Sequence, residues 1–527
     1  MTSEAARNAP PAASTEHLVA RYGASYRWLA TLTVMVGTIA TVLSSTIVNV
    51  ALPDMMGAFG MGQDKAQLLS TGFLAAMTAT MLLSAWMVDA LGQRFTYVAT
   101  LLAFLGGSVI GGLAPSEGVL VLARILQGAT AGLLQPLAMQ VIFRVFPSDK
   151  RGAAMGVYGI GVVLAPALGP VLGGLFVDTF SWRYVFFMPL PFCVLGILLG
   201  TVFLPEREQA GPMRPFDWIG LGLLAFFLLT LLDGLTHGQR DGWGSDRVVI
   251  AFAAALASGA AFLAWELRTP APMLNLAMFA NRSFAGAAIV SFIFGAGIFG
   301  TTYLIPLFVQ IVQGYTATRS GLLLMPGGLV MGIMFPLAGR LTDRVPAYAT
   351  TIMAGLGIFA VSSFLMAAAD TQTSFWQFAW WVVLGRIGLS FIMPGLSAGA
   401  LTALPPHLIG QGSGALNFAR QLGGAIGVNL LSVHLERRTQ LHVSGFTAAQ
   451  DAANGTTTEL LGGVGGLLAQ AGLPEAQAAA NATSYLGQVI HAQANMLGYR
   501  DSFFIVGIIF VVGLLPALLM ARPGRGR

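Results

Sequence analysis

The sequence predicts an all-α polytopic membrane protein of two six-helix bundles plus two inserted helices, with about 14 transmembrane helices in all. Three observations lead there. The 527 residues are 55% hydrophobic and only 9% charged, where an ordinary soluble domain carries about 25% charge. Apolar runs long enough to cross the roughly 30 Å hydrocarbon layer recur from end to end, each bounded by charges, Pro or Gly. The third observation is an internal repeat. Asp89-Ala90-Leu91-Gly92-Gln93-Arg94 follows the second run and Gly339-Arg340-Leu341-Thr342-Asp343-Arg344 closes the tenth, while Arg124 lies inside the fourth and Arg386 inside the twelfth. Two bundles related by a pseudo-twofold axis produce that pattern, and the seventh and eighth runs then stand between them as an insertion.

Residues 1–27 carry Pro, Ala and scattered charge with no cleavable apolar core before Trp28, which reads as a cytoplasmic tail and not a signal peptide. The first bundle, 28–204, follows. Trp28–Leu52 stops at Pro53-Asp54. Gln67–Leu91 and Thr96–Leu113 are parted by the Gly92-Gln93-Arg94 turn. Gly118–Phe143 lies between Glu117 and Arg144, Ala153–Val177 between Arg151 and Asp178, and Tyr184–Leu204 between Arg183 and Pro205. The insertion with its cytoplasmic linkers, 205–282, holds Trp218–Leu232, a short run flanked by Asp217 and Asp233, and Val248–Leu267 between Arg247 and Arg268. The second bundle, 283–521, holds Phe284–Val312, Ser320–Leu341, Thr350–Ala369, Trp376–Leu404, Gly412–His434 and Phe503–Met520, and 522–527 forms the last tail. An even count puts both termini on one side. With that side cytoplasmic, Lys and Arg favour the inner segments by about two to one, as expected of a multi-pass protein of the cell inner membrane.

Two segments stand apart. The fifth run contains Gly161 to Gly174, GVVLAPALGPVLGG, with Pro166 and Pro170 in its interior. Each proline removes a backbone donor, and Gly161, Gly169, Gly173 and Gly174 let neighbours approach, so the run reads as a kinked, tightly packed span. The only long connection is the outer loop 435–500. It is Gly-, Ala- and Thr-rich with weak periodicity through Gly463-Val464-Gly465-Gly466. From Pro474 onward, Leu486, Val489, Ile490, Met496 and Leu497 fall near one face of a helix running into the last span. Two readings stay open for it: a solvated loop with a helical stem, or a docking surface for a periplasmic partner.

Several chemistries are set aside. The single cysteine, Cys193, excludes a disulfide framework and a cysteine-built metal site. The formal charge of +5 is dispersed, without the basic cluster that tracks phosphates, so no nucleic-acid partner is expected. There is no phosphate-cradling GxxxxGKS. Gly395-Leu396-Ser397-Ala398-Gly399 fits GxSxG, but it lies in a predicted span with His407 beyond its inner end, not on a strand-to-helix turn. Asn454-Gly455-Thr456 and Asn481-Ala482-Thr483 are acceptor sequons that matter only in a glycosylating host. No enzyme, cofactor or metal is expected.

The costly residues are the intramembrane arginines. A charge at mid-bilayer costs about 2.5–3.5 kcal/mol even on the lenient insertion scale. Arg124 must therefore face a polar cavity, sharing its helix face with Gln127, or be pinned by backbone carbonyls. Asn417, Arg420 and Gln421 form a second polar patch, and Arg386 lies near a helix centre. No predicted span carries Asp or Glu near its centre. The nearest are Asp54, Asp178 and Asp233 at outer ends and Asp89, Asp217 and Asp343 at inner ends.

Four motifs carry a family resemblance. Thr46-Ile47-Val48-Asn49-Val50-Ala51-Leu52-Pro53 in the first helix is similar to TIVNVALP, Leu120 to Gly128 resembles a buried-arginine motif, and Gly169-Pro170-Val171-Leu172-Gly173-Gly174 resembles the GPxxGG antiporter motif. Asn417 to Gly424, NFARQLGG, lies in the thirteenth helix. Together they resemble the fourteen-helix drug:proton antiporters of EmrB/QacA type in the major facilitator superfamily. The resemblance implies the major facilitator fold and proton-coupled efflux of hydrophobic or amphiphilic toxic compounds. It implies a central pathway lined by Asn49, Arg124, Gln127, Gln135, Arg386, Asn417, Arg420 and Gln421, and a cytoplasmic gate of Asp89, Gly92, Arg94, Gly339, Asp343 and Arg344. It also implies a periplasmic adaptor and outer-membrane channel as partners. The chain departs from the family at Ser44, where most relatives carry an acid, and at Ala85, Ala90 and Gln93 in the gate turn. The proton group is then either a rim carboxylate such as Asp54 or an acid brought by the substrate, and the unpaired arginines favour lipophilic weak acids. An importer or uniporter of a small metabolite and a non-transporting scaffold are the competing readings.

Overall fold

A computed structural model describes residues 14–61, 63–207, 215–238, 241–345, 347–450 and 454–520. Among them the ordered structure is helical throughout, with no strand. Helices coincide with each predicted span. The first six are α1 (Tyr26–Phe59), α2 (Gln63–Thr80 continuing as Leu83–Leu91), α3 (Gln93–Gly112), α4 (Glu117–Val145), α5 (Arg151–Thr179) and α6 (Tyr184–Phe187 continuing as Leu190–Phe203). The inserted pair is α7 (Trp218–Gly238) and α8 (Asp246–Glu266). The rest are α9 (Arg282–Ile311), α10 (Ala317–Arg344), α11 (Tyr348–Met366), α12 (Phe375–Thr402), α13 (Ile409–Ala448) and α14 (Glu475–Val512 continuing as Leu514–Leu519). By length and composition, 11 helices among the described residues can cross a membrane, or 12 with the bent α2. Helix α13, rich in polar and charged residues along its length, stands outside that count, as does α5.

Helix α2 bends by 56° at Met81-Leu82. Beside the bend α4 lies so close that a Cβ at Gly132 would sit 2.0 Å from the Met77 carbonyl oxygen and 2.3 Å from Thr80 Oγ1. Only hydrogen fits there. The first bundle is held by α1 against α4, α5 and α6 and by α2 against α4; the second by α9 against α13 and α12 against α10 and α11. The inserted α7 and α8 pack on each other, and α7 leans on α2, where Trp86 and Phe216 lie 4.8 Å apart.

Three expectations need correction. Helix α7 runs past Leu232 to Gly238, with Asp233 paired to Arg247 and in contact with His237 Nδ1, each at 3.1 Å. The outer connection is far more helical than its composition suggests: α13 continues to Ala448, a separate helix covers Gly455–Gln470, and α14 begins beside Pro474. Polar contacts hold these extensions together. Arg438 Nε and His442 Nε2 reach Asp501 Oδ2 at 2.6 and 2.8 Å. Finally, Val489 is exposed; the inner side of the α14 extension is built by Ala478, Ala482, Ala494 and Met496.

Candidate functional site

The two halves meet toward one end of the molecule, where α5 begins and α10 ends. At the inner end of α10, the Asp343 carboxylate accepts from the backbone N–H groups of Gly152 and Ala153, each at 2.8 Å. Those are first-turn donors of α5, unpaired within their own helix and aligned with its dipole. One turn inward, Gly339 meets Gly152 backbone to backbone, its absent Cβ being only 2.3 Å from the Gly152 oxygen; Gly156 meets the Phe335 carbonyl in the same way. On the other side of the pseudo-axis α13 crosses α4 and the inner limb of α2. Ser413 Oγ donates to Pro136 O at 3.2 Å, and Gly414 rests on Met81.

At the outer edge of this closure lies a polar cluster built from both bundles. Arg420 of α13 donates through Nη2 to Gln135 Oε1 of α4, and to Asn417 Oδ1 at 2.7 Å. The Asn417 amide donates to the Ser413 carbonyl at 2.9 Å and lies 2.8 Å from Met139 Sδ. Tyr158 of α5, buried and 3.4 Å from Thr38 Oγ1, stands within electrostatic reach of Arg420. Arg420 is half-buried, and beside it a cavity of about 10 Å³ is lined by Met139, Ser291, Ser397, Asn417 and Arg420. That volume is on the order of one water molecule.

The structure does not bring the other arginines into this cluster. Arg124 is fully buried among α1, α2 and α4: Nε donates to Leu69 O at 3.1 Å, Nη1 to Gln127 Oε1 at 3.0 Å, and the Phe73 ring centroid is 4.1 Å from Cζ. Gln127 in turn donates to Ser108 Oγ at 2.8 Å. Of the two readings open for Arg124, the geometry is the one pinned by carbonyls. Ser44 Oγ stands 3.4 Å from Nη1, so Ser44 faces this guanidinium. Arg386 borders a separate void of about 10 Å³ with Thr301 and Ser362, against Gly327 of α10. Gln421 is buried on α13.

The remaining expected residues divide by place. Asp54 is exposed at the outer end of α1. The side chains of Asn49, Pro166 and Pro170 lie outside the described residues. Gly161, Gly169 and Gly173 seat α5 against Met35, Thr46 and Ile47 of α1, with Gly174 nearest Val50. In the gate, Gly92 takes φ 85° at the turn. Arg94 does not latch the bundles: it binds Leu204 O at 2.7 Å and Glu206 Oε1 at 2.5 Å, within its own half. Asp89 and Arg344 are exposed. The bridging role falls to Asp343. Sequence reasoning missed Tyr158 and Thr38, which carry no motif signal, and Ser413, a small residue among many.

A model of the major facilitator superfamily matches residues 34–428. The chain belongs to this superfamily. The transporter is 30% identical over 485 residues to the multidrug resistance protein B homolog of Mycobacterium tuberculosis, covering 90% of this chain and 87% of that one. It is 28% identical over 500 residues to the multidrug export protein EmrB of Escherichia coli, covering 94% and 95%. The proton:xylose symporter XylE shares the fold with a TM-score of 0.59 at 14% identity, covering 94% of this chain and 95% of that one. The transporter is not an enzyme.

Proposed function

We propose that this transporter is a proton-coupled antiporter of the cell inner membrane, with both termini cytoplasmic, which exports hydrophobic or amphiphilic toxic compounds and favours lipophilic weak acids. The rocking bodies are residues 28–204 and 283–521, with 205–282 between them. One observation carries the reading: Arg420, half-buried and paired with no carboxylate among the described residues, is held by Gln135 of the opposite bundle directly above a closed cytoplasmic half. An anion arriving there replaces Gln135 as the guanidinium's partner, and charge-assisted pairing is stronger than the amide contact it displaces. Exchanging that contact loosens the seam between α4 and α13, which ties occupancy to the rocking of one bundle against the other. The kinship with multidrug exporters supports efflux over uptake.

The decisive experiment uses proteoliposomes of known orientation. Lipophilic weak acids are expected to be expelled against a gradient at the expense of an opposing inward proton flow, and Arg420→Gln to abolish this while leaving the protein folded. Pumping of quaternary ammonium dyes with no transport of anionic uncouplers would defeat the substrate assignment. Uptake in place of expulsion would make the protein an importer. The outer helices beyond the membrane, 435–500, present Leu441, Leu467 and Val489 to solvent. We assign this projection to a periplasmic adaptor leading to an outer-membrane channel.

A further inference from the structure

The inserted pair α7–α8 contains a feature that the pathway between the bundles does not use. At its cytoplasmic end Asp217, just before α7, and Glu266, the last residue of α8, are both more than nine-tenths buried, at 8% and 4% exposure. Each has one oxygen engaged. Asp217 Oδ1 accepts from Gly220 N and from Trp265 Nε1, both at 2.8 Å, and Glu266 Oε2 accepts from Leu274 N at 3.1 Å. The other two oxygens, Asp217 Oδ2 and Glu266 Oε1, have no donor among the described residues. They converge on one spot beside Gly220, where a Cβ would lie 2.4 Å from the first and 2.9 Å from the second, and the two carboxyls are hydrogen-bonding neighbours.

Two carboxylates cannot face each other in this way. A buried acceptor meeting an acceptor leaves both oxygens without a protein donor and brings two like charges together. Among the described residues no cation pairs with either carboxylate. Arg268 on the connector after α8 is exposed, as is Asp89 at the inner end of α2. Asp233, His237, Asp246 and Arg247 lie at the opposite, outer end of the pair. On α13, Arg420 is committed to Gln135 and Asn417. One proton resolves the conflict, since a carboxylic acid O–H donates to the neighbouring carboxylate and satisfies both orphan oxygens.

We propose that Asp217 and Glu266 form a proton-binding site that takes one shared proton from the cytoplasmic side. The site has a mechanical output. Asp217 caps α7 and grips Trp265, while Glu266 grips Leu274 in the connector that leads to α9; that connector is also tied to α13, through Gln411 Nε2 donating to Pro272 O at 3.2 Å. Releasing the proton sets two buried carboxylates against each other and pries the connector from the insertion. Rebinding closes it. The assignment stands whether the pathway exports or imports.

The test is infrared titration of the purified full-length protein in nanodiscs. At neutral pH wild type is expected to show the C=O band of one protonated carboxylic acid, sensitive to deuterium and lost on going alkaline, and Glu266→Gln or Asp217→Asn to lack it. Each amide can donate to the remaining carboxylate, so both variants keep the clamp. In parallel, wild type is expected to lose thermal stability as pH rises, because the native state holds a proton that the unfolded chain has released. Glu266→Gln removes that slope. A band that survives in both variants, or none in wild type at neutral pH, would overturn the proposal. So would stabilisation of wild type, but not of Glu266→Gln, by sodium, magnesium or calcium, which would make the pair a cation site.

Discussion

At the residue scale, the three intramembrane arginines look alike in the sequence and separate in the structure. Arg124 is a keystone, held by a carbonyl, an amide and an aromatic face inside one bundle, with Nη2 buried and without a hydrogen-bond partner among the described residues. Arg420 joins the two bundles. Arg124→Ala is therefore expected to cost about 2–4 kcal/mol of stability, since it strands Gln127 and the Leu69 carbonyl and leaves a cavity. Arg420→Ala should lower the melting temperature far less yet abolish transport, a contrast that thermal unfolding and vesicle flux measure on the same preparations. Ser44→Asp bears on the family departure. A carboxylate at that position meets Arg124 Nη1 and supplies the counter-charge the wild-type chain lacks, so the variant is expected to melt higher at neutral pH. It should lose the gain on acidification, because a carboxylate paired in the folded state stabilises above its unfolded pKa and not below its folded one. The cost of a buried charge made Arg124 and Arg420 stand out in the sequence; nothing in it says which of them faces carbonyls and which faces the other half, because that depends on helix rotation.

At the scale of elements, the closure between the bundles rests on α5 and α10, where glycine meets glycine and one carboxylate caps a helix of the other bundle. The repeat of Asp89 and Asp343 was legible from spacing. Their division of labour was not: Asp343 caps the opposite bundle, whereas Arg94 of the matching turn is engaged by Leu204 and Glu206. Asp343→Asn keeps the shape but loses the charge at the α5 N-terminus, and hydrogen bonds to a charged group are worth about 1.5–3 kcal/mol each. The closed inner face should open more often, read as a rise in cytoplasmic labelling of cysteines placed along α5. The outer helices show the other limit of sequence reading. Their Gly and Ala content conceals a helix because its stability comes from packing and from Arg438 and His442 on Asp501, partners more than 50 residues apart.

For the whole molecule, the sequence carried the fold: hydropathy set the spans, and the repeat set the two bundles. It could not carry the state. Which half is shut depends on backbone contacts such as Gly339 against Gly152 that leave no mark in composition. That contact offers a way to drive the alternation. A leucine at position 339 needs space occupied by the Gly152 carbonyl and the Ala153 Cα, both backbone atoms that cannot turn aside. Gly339→Leu must therefore part α10 from α5 and bias the transporter toward the state open to the cytoplasm. The reporter is Ser413→Cys, at a position sealed against Pro136, in a background where Cys193 is replaced by Ser. Alone, Ser413→Cys is expected to resist a membrane-impermeant maleimide applied from the cytoplasmic side; combined with Gly339→Leu it should react at least tenfold faster, corresponding to a population shift of about 1.4 kcal/mol. Rapid labelling of Ser413→Cys without the wedge would mean that the inner half is open at rest. No acceleration with the wedge would mean that α5–α10 and α4–α13 do not open together, and rocking of two rigid bundles would have to give way to independent movement of single helices.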